Sequence, residues 1–210
     1  MDGVSDEKFM QSEYYKKYAG LLNSEKLNNI LKKTNTIINF YIHPKFKQYL
    51  DMFTNNSEYI KIYQFGELKV NDLLMKSSMA ITDYSSIAWD MYYQKKPVLF
   101  YQFDIDDYNF YQGSYLDMEN ELFGDRSFTV DELVKDIEYY INNKFVEKKK
   151  YAELRKKYFK YVDKNNCKRT YEAICSKRDI LIKDSNQSNI IKFKQSDFVR
   201  RIRNVLKNKK

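Results

Sequence analysis

Short runs of apolar, β-branched and aromatic residues alternate along the middle of the chain with segments of helical pattern. The first run, residues 37–42, ends at His43 and Pro44. Because proline disfavours helix at the residue before it, this run is predicted to be a buried strand with a sharp end. The same criteria predict strands in residues 58–65, 79–82 and 97–103, and helices in residues 45–53, 70–78 and 85–94.

The order of these segments is β-α-β-α-β-α-β. Short strands that alternate with helices of about ten residues are typical of a parallel sheet with right-handed crossovers. The predicted fold class is therefore α/β, with a parallel sheet and flanking helices.

Further helices are predicted on either side of this region. Residues 23–33 form a helix with Ser24 as its N-cap, and residues 129–143 form an amphipathic helix capped by Thr129. Two more are expected near residues 148–160 and 166–178, whereas residues 103–128 lack periodicity and are predicted to be a long loop.

Composition narrows the class of protein. With 210 residues, 17% aromatics, five glycines and two prolines, the chain is expected to fold as one domain with appendages. It shows no apolar run long enough for a membrane span and no signal-peptide pattern, so we expect a cytoplasmic protein.

One histidine and two cysteines are too few for a structural zinc site, and Cys167 and Cys175 are expected to be buried or unreactive thiols.

Candidate binding residues follow the predicted strands. Ligands of open parallel sheets bind where the carboxyl ends of the strands lead into loops. Residues 42–44, 64–66 and 82–86 all occupy such positions, so they are expected to form one pocket.

Residues 82–86 carry hydroxyls on Thr82, Ser85 and Ser86 at the start of a predicted helix. Unpaired backbone N–H groups and the helix dipole favour an anion there, so the loop is a candidate phosphate site. The alternative is that Asp83 or Ser85 only caps the helix.

His43 could donate a hydrogen bond to a phosphate oxygen or act as an acid, or it could simply pack in the turn at Pro44. Metal ligation by Asp72, Asp83 and Asp90 is less favoured, because Asp72 and Asp90 lie inside helical patterns.

Several motifs together resemble a known family. They are residues 36–44, the ITDYSS segment at 81–86, Asp90, KPVLFY at 96–101, Phe103, Asp104 and GSYLD at 113–117. Over about residues 10–175 the chain resembles the C-terminal half of the CDP-glycerol glycerophosphotransferases, which build teichoic acid and capsular polymers.

The resemblance implies the Rossmann-like C-terminal domain of a GT-B glycosyltransferase, with CDP-glycerol as donor substrate and no cofactor or metal. His43 would contact the diphosphate and would be the catalytic candidate. Other implied substrate-binding residues are Phe65, Gly66, Thr82, Asp83, Ser85, Ser86 and Gly113. The implied domains are an interdomain remnant (1–34), a donor-binding domain (35–175) and a basic tail (176–210).

Two departures from the family pattern concern the acceptor side and the long loop. The family's N-terminal domain carries the histidine that supplies the base, and this domain has no counterpart here. A separate N-terminal half is therefore an expected partner. The alternative is that the chain is a non-catalytic fragment or a regulatory partner. In the long loop, Gln112 stands where a basic residue is common, and Gly124 and Asp125 replace Gly-Pro.

Positive charge is concentrated in the tail. Residues 176–210 contain 11 Lys and Arg and three Asp, and apolar residues recur at helical spacing in residues 190–210. This pattern favours an anionic membrane surface, consistent with a lipid-linked polyol-phosphate acceptor at the inner face of the cell membrane. A solvated helix packed on the body is an equal alternative, and nucleic acid is disfavoured.

Overall fold

The computed structural model describes residues 4–178. The chain divides into two compact units, Met1–Lys160 and Tyr161–Lys210. The predicted basic helix at residues 190–210 lies outside the described residues.

Within residues 4–160, the first unit contains five short strands, all of which pair in parallel. Strand β1 (Ile38–Tyr41) pairs with β2 (Ile60–Tyr63), and β4 (Val98–Tyr101) lies between β3 (Ala80–Thr82) and β5 (Asp125–Ser127). The α/β class with parallel strands and flanking helices is thus confirmed.

The strands form two sheets, β1–β2 and β3–β4–β5, where the sequence pattern predicted one sheet. Aromatic side chains connect the two sheets: the ring of Tyr18 lies 5.8 Å from that of Phe40 on β1 and 5.7 Å from that of Tyr101 on β4. Both sheets therefore contribute to one hydrophobic cluster, although the described residues show no hydrogen-bonded pairing between β1 and β4.

The described residues contain nine α-helices and one 3-10 helix, of which α9 belongs to the second unit. Their bounds are α1 (Asp6–Gln11), α2 (Glu13–Leu22), α3 (Glu25–Thr34), the 3-10 helix (Pro44–Met52), α4 (Val70–Lys76), α5 (Ile87–Tyr93), α6 (Ile105–Tyr111), α7 (Val130–Asn142), α8 (Lys149–Tyr158) and α9 (Asn166–Ser176).

Two predicted helix starts are confirmed by their hydrogen bonds. The Ser24 hydroxyl accepts from the backbone N–H of Leu27 at the start of α3. Thr129 and Glu132 form a reciprocal capping box at the start of α7. Such caps satisfy backbone N–H groups that the helix itself leaves unpaired.

The prediction of one long loop over residues 103–128 is wrong, because this segment contains α6 and β5. Helix α6 buries none of its residues, so it carries no apolar stripe to reveal it. Strand β5 consists of Asp125, Arg126 and Ser127 and forms by pairing with β4. Tertiary pairing, which no local pattern encodes, creates this strand.

Strand β4 lies at the centre of the core. All four of its residues are buried, and they alternate between two hydrophobic clusters. Leu99 and Tyr101 pack with α1–α3 and α7, whereas Val98 and Phe100 pack with α5 and Tyr151 of α8. This alternation is what a strand covered on both faces requires.

In the second unit, Arg169 of α9 donates to Asp163 at 2.9 Å and lies 3.9 Å from the ring centre of Tyr161. Cys167 and Cys175 are free and exposed, which corrects the expectation of burial. No helix within residues 4–178 is long and apolar enough to cross a membrane.

Candidate functional site

The loops after β1 and β2 meet through Tyr41. The Tyr41 hydroxyl accepts a hydrogen bond from the backbone N–H of Gly66 at 2.9 Å, and its ring lies 6.3 Å from that of Phe65. Gly66 has a φ of 92°, a conformation that glycine adopts without a steric penalty. The half-exposed Phe65 and Gly66 therefore lie beside the end of β1, as predicted.

His43 follows β1 by two residues and is exposed. Its carbonyl oxygen accepts from the backbone N–H of Phe46 at 2.8 Å, and its ring lies 6.3 Å from the Phe46 ring. The imidazole is thus carried by the turn that opens the 3-10 helix, at the carboxyl end of the strand.

Residues 82–86, the 82–86 loop, connect β3 to α5. Thr82 is buried as the last residue of the strand, and one Asp83 carboxylate oxygen accepts from the backbone N–H of Tyr84 at 2.6 Å. Ser86 occupies the N-cap position, and no side chain caps α5. The capping role considered for Asp83 and Ser85 is therefore not what the structure shows.

Tyr84 connects this loop to the next strand end. Its hydroxyl donates to Asp104, which follows β4, at 2.9 Å. Its ring stacks on that of Tyr108 in α6, with centres 3.6 Å apart and planes 4° apart. The Tyr108 carbonyl in turn accepts from the backbone N–H of Gly113 at 2.9 Å, so the predicted residues Asp83 and Gly113 belong to one contact group.

Tyr14 of α2 lies between the two loop groups. Its ring stacks on Phe46, the neighbour of His43, at 4.7 Å. It also lies close enough to Asp83 and Asp104 for their negative charges to act on it. The structure therefore brings the loops after β1, β3 and β4 to one aromatic-lined region.

The carboxylates shape the electrostatics of this region. Burial, together with Asp83 and Glu13, raises the pKa of Asp104, and the hydrogen bond from Tyr84 partly offsets this effect. Burial, Asp83 and Asp104 raise the pKa values of Tyr14 and Tyr84 far above the usual tyrosine value. Both phenols therefore stay protonated and can donate hydrogen bonds at neutral pH.

Gln102 and Arg126 attach residues 118–119 to the same region. Gln102 is fully buried, and its Nε2 donates to the Asp83 carbonyl at 3.3 Å and contacts the Met118 sulfur at 3.6 Å. Arg126 donates to both carboxylate oxygens of Glu119, at 2.8 and 2.7 Å, and to the Met118 carbonyl at 3.2 Å. These bonds hold residues 118–119 near the 82–86 loop.

Sequence reasoning missed Tyr14, Tyr108, Gln102 and Arg126. Gln102 follows β4, and Arg126 lies in the short strand β5. The rule that ligands bind at the carboxyl ends of parallel strands, which located His43, also points to Gln102, and it would point to Arg126 once β5 is recognised. Tyr14 is far from the other residues in sequence, and no local pattern indicates its position.

Asp72 and Asp90 lie in α4 and α5, as predicted. Within residues 4–178, no group of three or more His, Cys, Asp and Glu side chains is arranged to hold a metal ion.

A family model described as CDP-glycerol:poly(glycerophosphate) glycerophosphotransferase matches residues 6–176. This match spans most of the chain, including every loop of the region described above.

Two curated proteins are also similar. The minor teichoic acid biosynthesis protein GgaB of Bacillus subtilis is 36% identical over 167 residues, which is 80% of this chain and 18% of GgaB. The teichoic acid ribitol-phosphate polymerase TarL of Staphylococcus aureus is 30% identical over 69% of this chain and 25% of TarL. The chain thus spans about a quarter or less of either relative.

Among solved structures, a variant of the wall teichoic acid polymerase TagF is 18% identical, with a TM-score of 0.49. The alignment covers 88% of this chain and 57% of that one.

Proposed function

Because the chain belongs to the CDP-glycerol:poly(glycerophosphate) glycerophosphotransferase family, we propose that it binds CDP-glycerol and supplies the donor-binding half of a transferase. That enzyme would transfer glycerol phosphate to a growing teichoic-acid-like or capsular polymer and release CMP. The observation that carries this proposal is the family match over residues 6–176, which contains the strand-end loops joined by Tyr14 and Tyr84.

In this proposal the 82–86 loop and His43 hold the diphosphate. Thr82, Asp83, Ser85 and Ser86 line the pocket, with the serine side chains left free by a helix that no side chain caps. Gly113 is included because its backbone N–H donates to the carbonyl of Tyr108, the residue on which Tyr84 stacks.

Phe65 and Gly66 lie at the nucleoside end of the proposed site. The half-exposed Phe65 ring offers an aromatic surface of the kind on which a base can stack.

The chemistry would be a displacement at the glycerol-bearing phosphorus. The terminal hydroxyl of the polymer attacks that phosphorus, the bond to the CMP oxygen breaks, and the hydroxyl proton passes to a base. Alignment of donor and acceptor and stabilisation of the phosphoryl charge are the main contributions that a protein makes to such a reaction. His43 would provide charge stabilisation on the donor side, and the base would come from an acceptor-side domain of the kind that the family has.

Isothermal titration calorimetry of the full chain with CDP-glycerol tests the proposal. We expect binding that competes with CDP and weakens in Ser85→Ala/Ser86→Ala, while Ser176→Ala in α9 leaves it unchanged. Absence of heat from binding at millimolar ligand would overturn the donor-site assignment. A parallel titration with CDP-ribitol decides which polyol the site accepts, since TarL carries the name of a ribitol-phosphate polymerase.

The second candidate function is a non-catalytic binding or regulatory partner. The observation that favours it is that His43 is the single histidine of the sequence. CMP release from CDP-glycerol in the presence of a lipid-linked polyol-phosphate acceptor distinguishes the two. Release that requires an added N-terminal half supports the donor-half proposal, and binding without release in any combination supports the regulatory one.

We further propose that residues 1–34 correspond to an interdomain segment, residues 35–175 to the donor-binding domain, and residues 176–210 to a basic tail. The tail would hold the protein at the inner face of the cell membrane, near a lipid-linked acceptor.

A further inference from the structure

The 82–86 loop is fixed by contacts that converge on its central residue. The Tyr84 hydroxyl donates to Asp104 beyond β4, and its ring lies flat on Tyr108 of α6. Its backbone N–H donates to the Asp83 carboxylate. One side chain thus connects the loop to two elements that follow it in sequence.

A second contact fixes the residue before Tyr84. The Asp83 carbonyl accepts from the amide of Gln102, a side chain that is fully buried and so cannot shift without disturbing the core. The backbone on either side of the Asp83–Tyr84 peptide is therefore held by β4 and the segment after it. By contrast, no side chain caps the helix that begins at Ile87.

The Tyr84–Asp104 bond also has an electrostatic role. Asp83 and Asp104 carry negative charge next to a loop proposed to receive a diphosphate, and like charges repel. Burial, Asp104 and Asp83 together raise the pKa of Tyr84, so its proton stays in place and occupies an acceptor oxygen of Asp104. The hydroxyl thereby partly neutralises one of the two carboxylates.

We propose that Tyr84 is a positioning residue for the donor diphosphate: its bond to Asp104 and its stack on Tyr108 hold the 82–86 loop in the conformation that receives the phosphates. The phenol itself does not contact the ligand and acts through the backbone and the Ser85 and Ser86 side chains. This inference rests on the donor-binding function proposed above.

The test compares the affinities of the full chain for CDP and CMP by calorimetry. Tyr84→Phe removes the bond to Asp104 and keeps the stacked ring. We expect its affinity for CDP to fall by about tenfold, which is the effect of about 1.4 kcal/mol, and its affinity for CMP to fall by much less. A role in overall stability alone would lower both affinities in proportion, so the CDP-to-CMP ratio is the diagnostic quantity.

Two further tyrosines make the test specific. Tyr108→Leu removes the stack and should lower CDP affinity, whereas Tyr108→Phe should restore it. Tyr92→Phe is the matched structural control: its hydroxyl donates to the Tyr151 carbonyl in the core, away from the loop. It should lower the unfolding temperature while leaving the CDP-to-CMP ratio unchanged.

The outcomes separate the two proposals. Wild-type binding of CDP with an unchanged ratio in Tyr84→Phe overturns the positioning role and leaves the donor site standing. No wild-type binding of CDP or CDP-glycerol overturns the donor site and the positioning role together.

Discussion

At the residue scale, Asp125 shows how a buried carboxylate is kept ionised. It accepts hydrogen bonds from the hydroxyls of Tyr140 and Tyr151, at 2.8 and 2.7 Å, and lies 2.6 Å from the Lys148 ammonium. Burial acts to raise the pKa of Asp125, but these partners outweigh it and hold the pKa below its usual value.

Asp125→Asn should therefore destabilise the protein by about 1–3 kcal/mol at neutral pH, since the two tyrosine hydroxyls and the Lys148 ammonium lose a charged acceptor. A carboxyl whose pKa is depressed by folding contributes stability above its unfolded pKa of about 3.9 and loses it as the pH falls from there through the folded value. Denaturant unfolding at a series of pH values should show the wild-type advantage shrinking in that window. An advantage that does not change down to pH 3 would contradict this explanation, and Asp51→Asn serves as an exposed control.

Gly124 is required because the neighbouring strand leaves no room for a side chain at this position. A Cβ at this position would lie 2.1 Å from the Val98 carbonyl oxygen and 2.9 Å from the Phe100 ring. Gly124→Ala must push β5 away from β4 and is expected to cost about 1–3 kcal/mol or more.

Gly20 in α2 provides the matched control for Gly124. Its nearest neighbour to a new Cβ is a Val130 methyl group at an ordinary 3.7 Å. Gly20→Ala should be neutral or stabilising by up to about 1 kcal/mol, because alanine favours a helix. Equal unfolding free energies for the two variants would show that the backbone at Gly124 has room for a Cβ.

Candidate site residues could be proposed from the sequence only where they follow a strand that the sequence reveals. His43, Phe65, Gly66 and the 82–86 loop were proposed in this way, and their role in binding stays a prediction. Tyr108 was missed because its helix exposes its aromatic side chains, and Tyr14 because its partners are brought to it by tertiary packing.

At the element scale, Arg155 attaches α8 to α5 and also forms a buried ion pair with Glu147, which precedes α8. Arg155 pairs with Glu147, donates from Nε to the Tyr92 carbonyl at 2.8 Å and lies 4.6 Å from the centre of the Tyr92 ring. Arg155 and the Glu147 side chain are largely shielded from water.

Glu147→Ala should leave the Arg155 charge buried without its partner and cost about 3–5 kcal/mol. Glu153→Ala on α8 removes the exposed pair with Lys149, which is 3.8 Å long, and should change stability by less than about 1 kcal/mol. Chemical denaturation with both variants measures the difference. Similar losses would mean that burial does not determine the strength of these pairs.

The elements that the sequence predicts are helices whose apolar residues recur at helical spacing and buried strands that are continuous apolar runs. Helices α3 and α7 have apolar faces and caps, and β1 and β4 are apolar runs, so all four were predicted. Strand β5 is polar and forms because β4 pairs with it, and β1 and β2 pair in a sheet separate from that of β3, β4 and β5. Neither feature has a local signal.

At the scale of the whole molecule, the body and the tail differ in charge. The 11 basic residues against three acidic ones in residues 176–210 account for the net charge of +8, which leaves the rest of the chain balanced. Donor binding and membrane attachment are therefore proposed for different parts of the chain, and each can be altered without the other.

Replacing Arg200, Arg201 and Arg203 together by glutamine tests this separation in the full chain. Each basic residue near an anionic surface contributes about 1 kcal/mol, so partitioning onto vesicles with acidic phospholipid should fall by about a hundredfold. Vesicle co-sedimentation measures this loss, which should be absent with zwitterionic lipid, where the wild type itself binds weakly. CDP affinity should be unchanged in the triple variant, because the proposed donor site lies in the first unit. Full retention of binding to acidic vesicles would assign the tail another role, and its binding to nucleic acid would then be the next measurement.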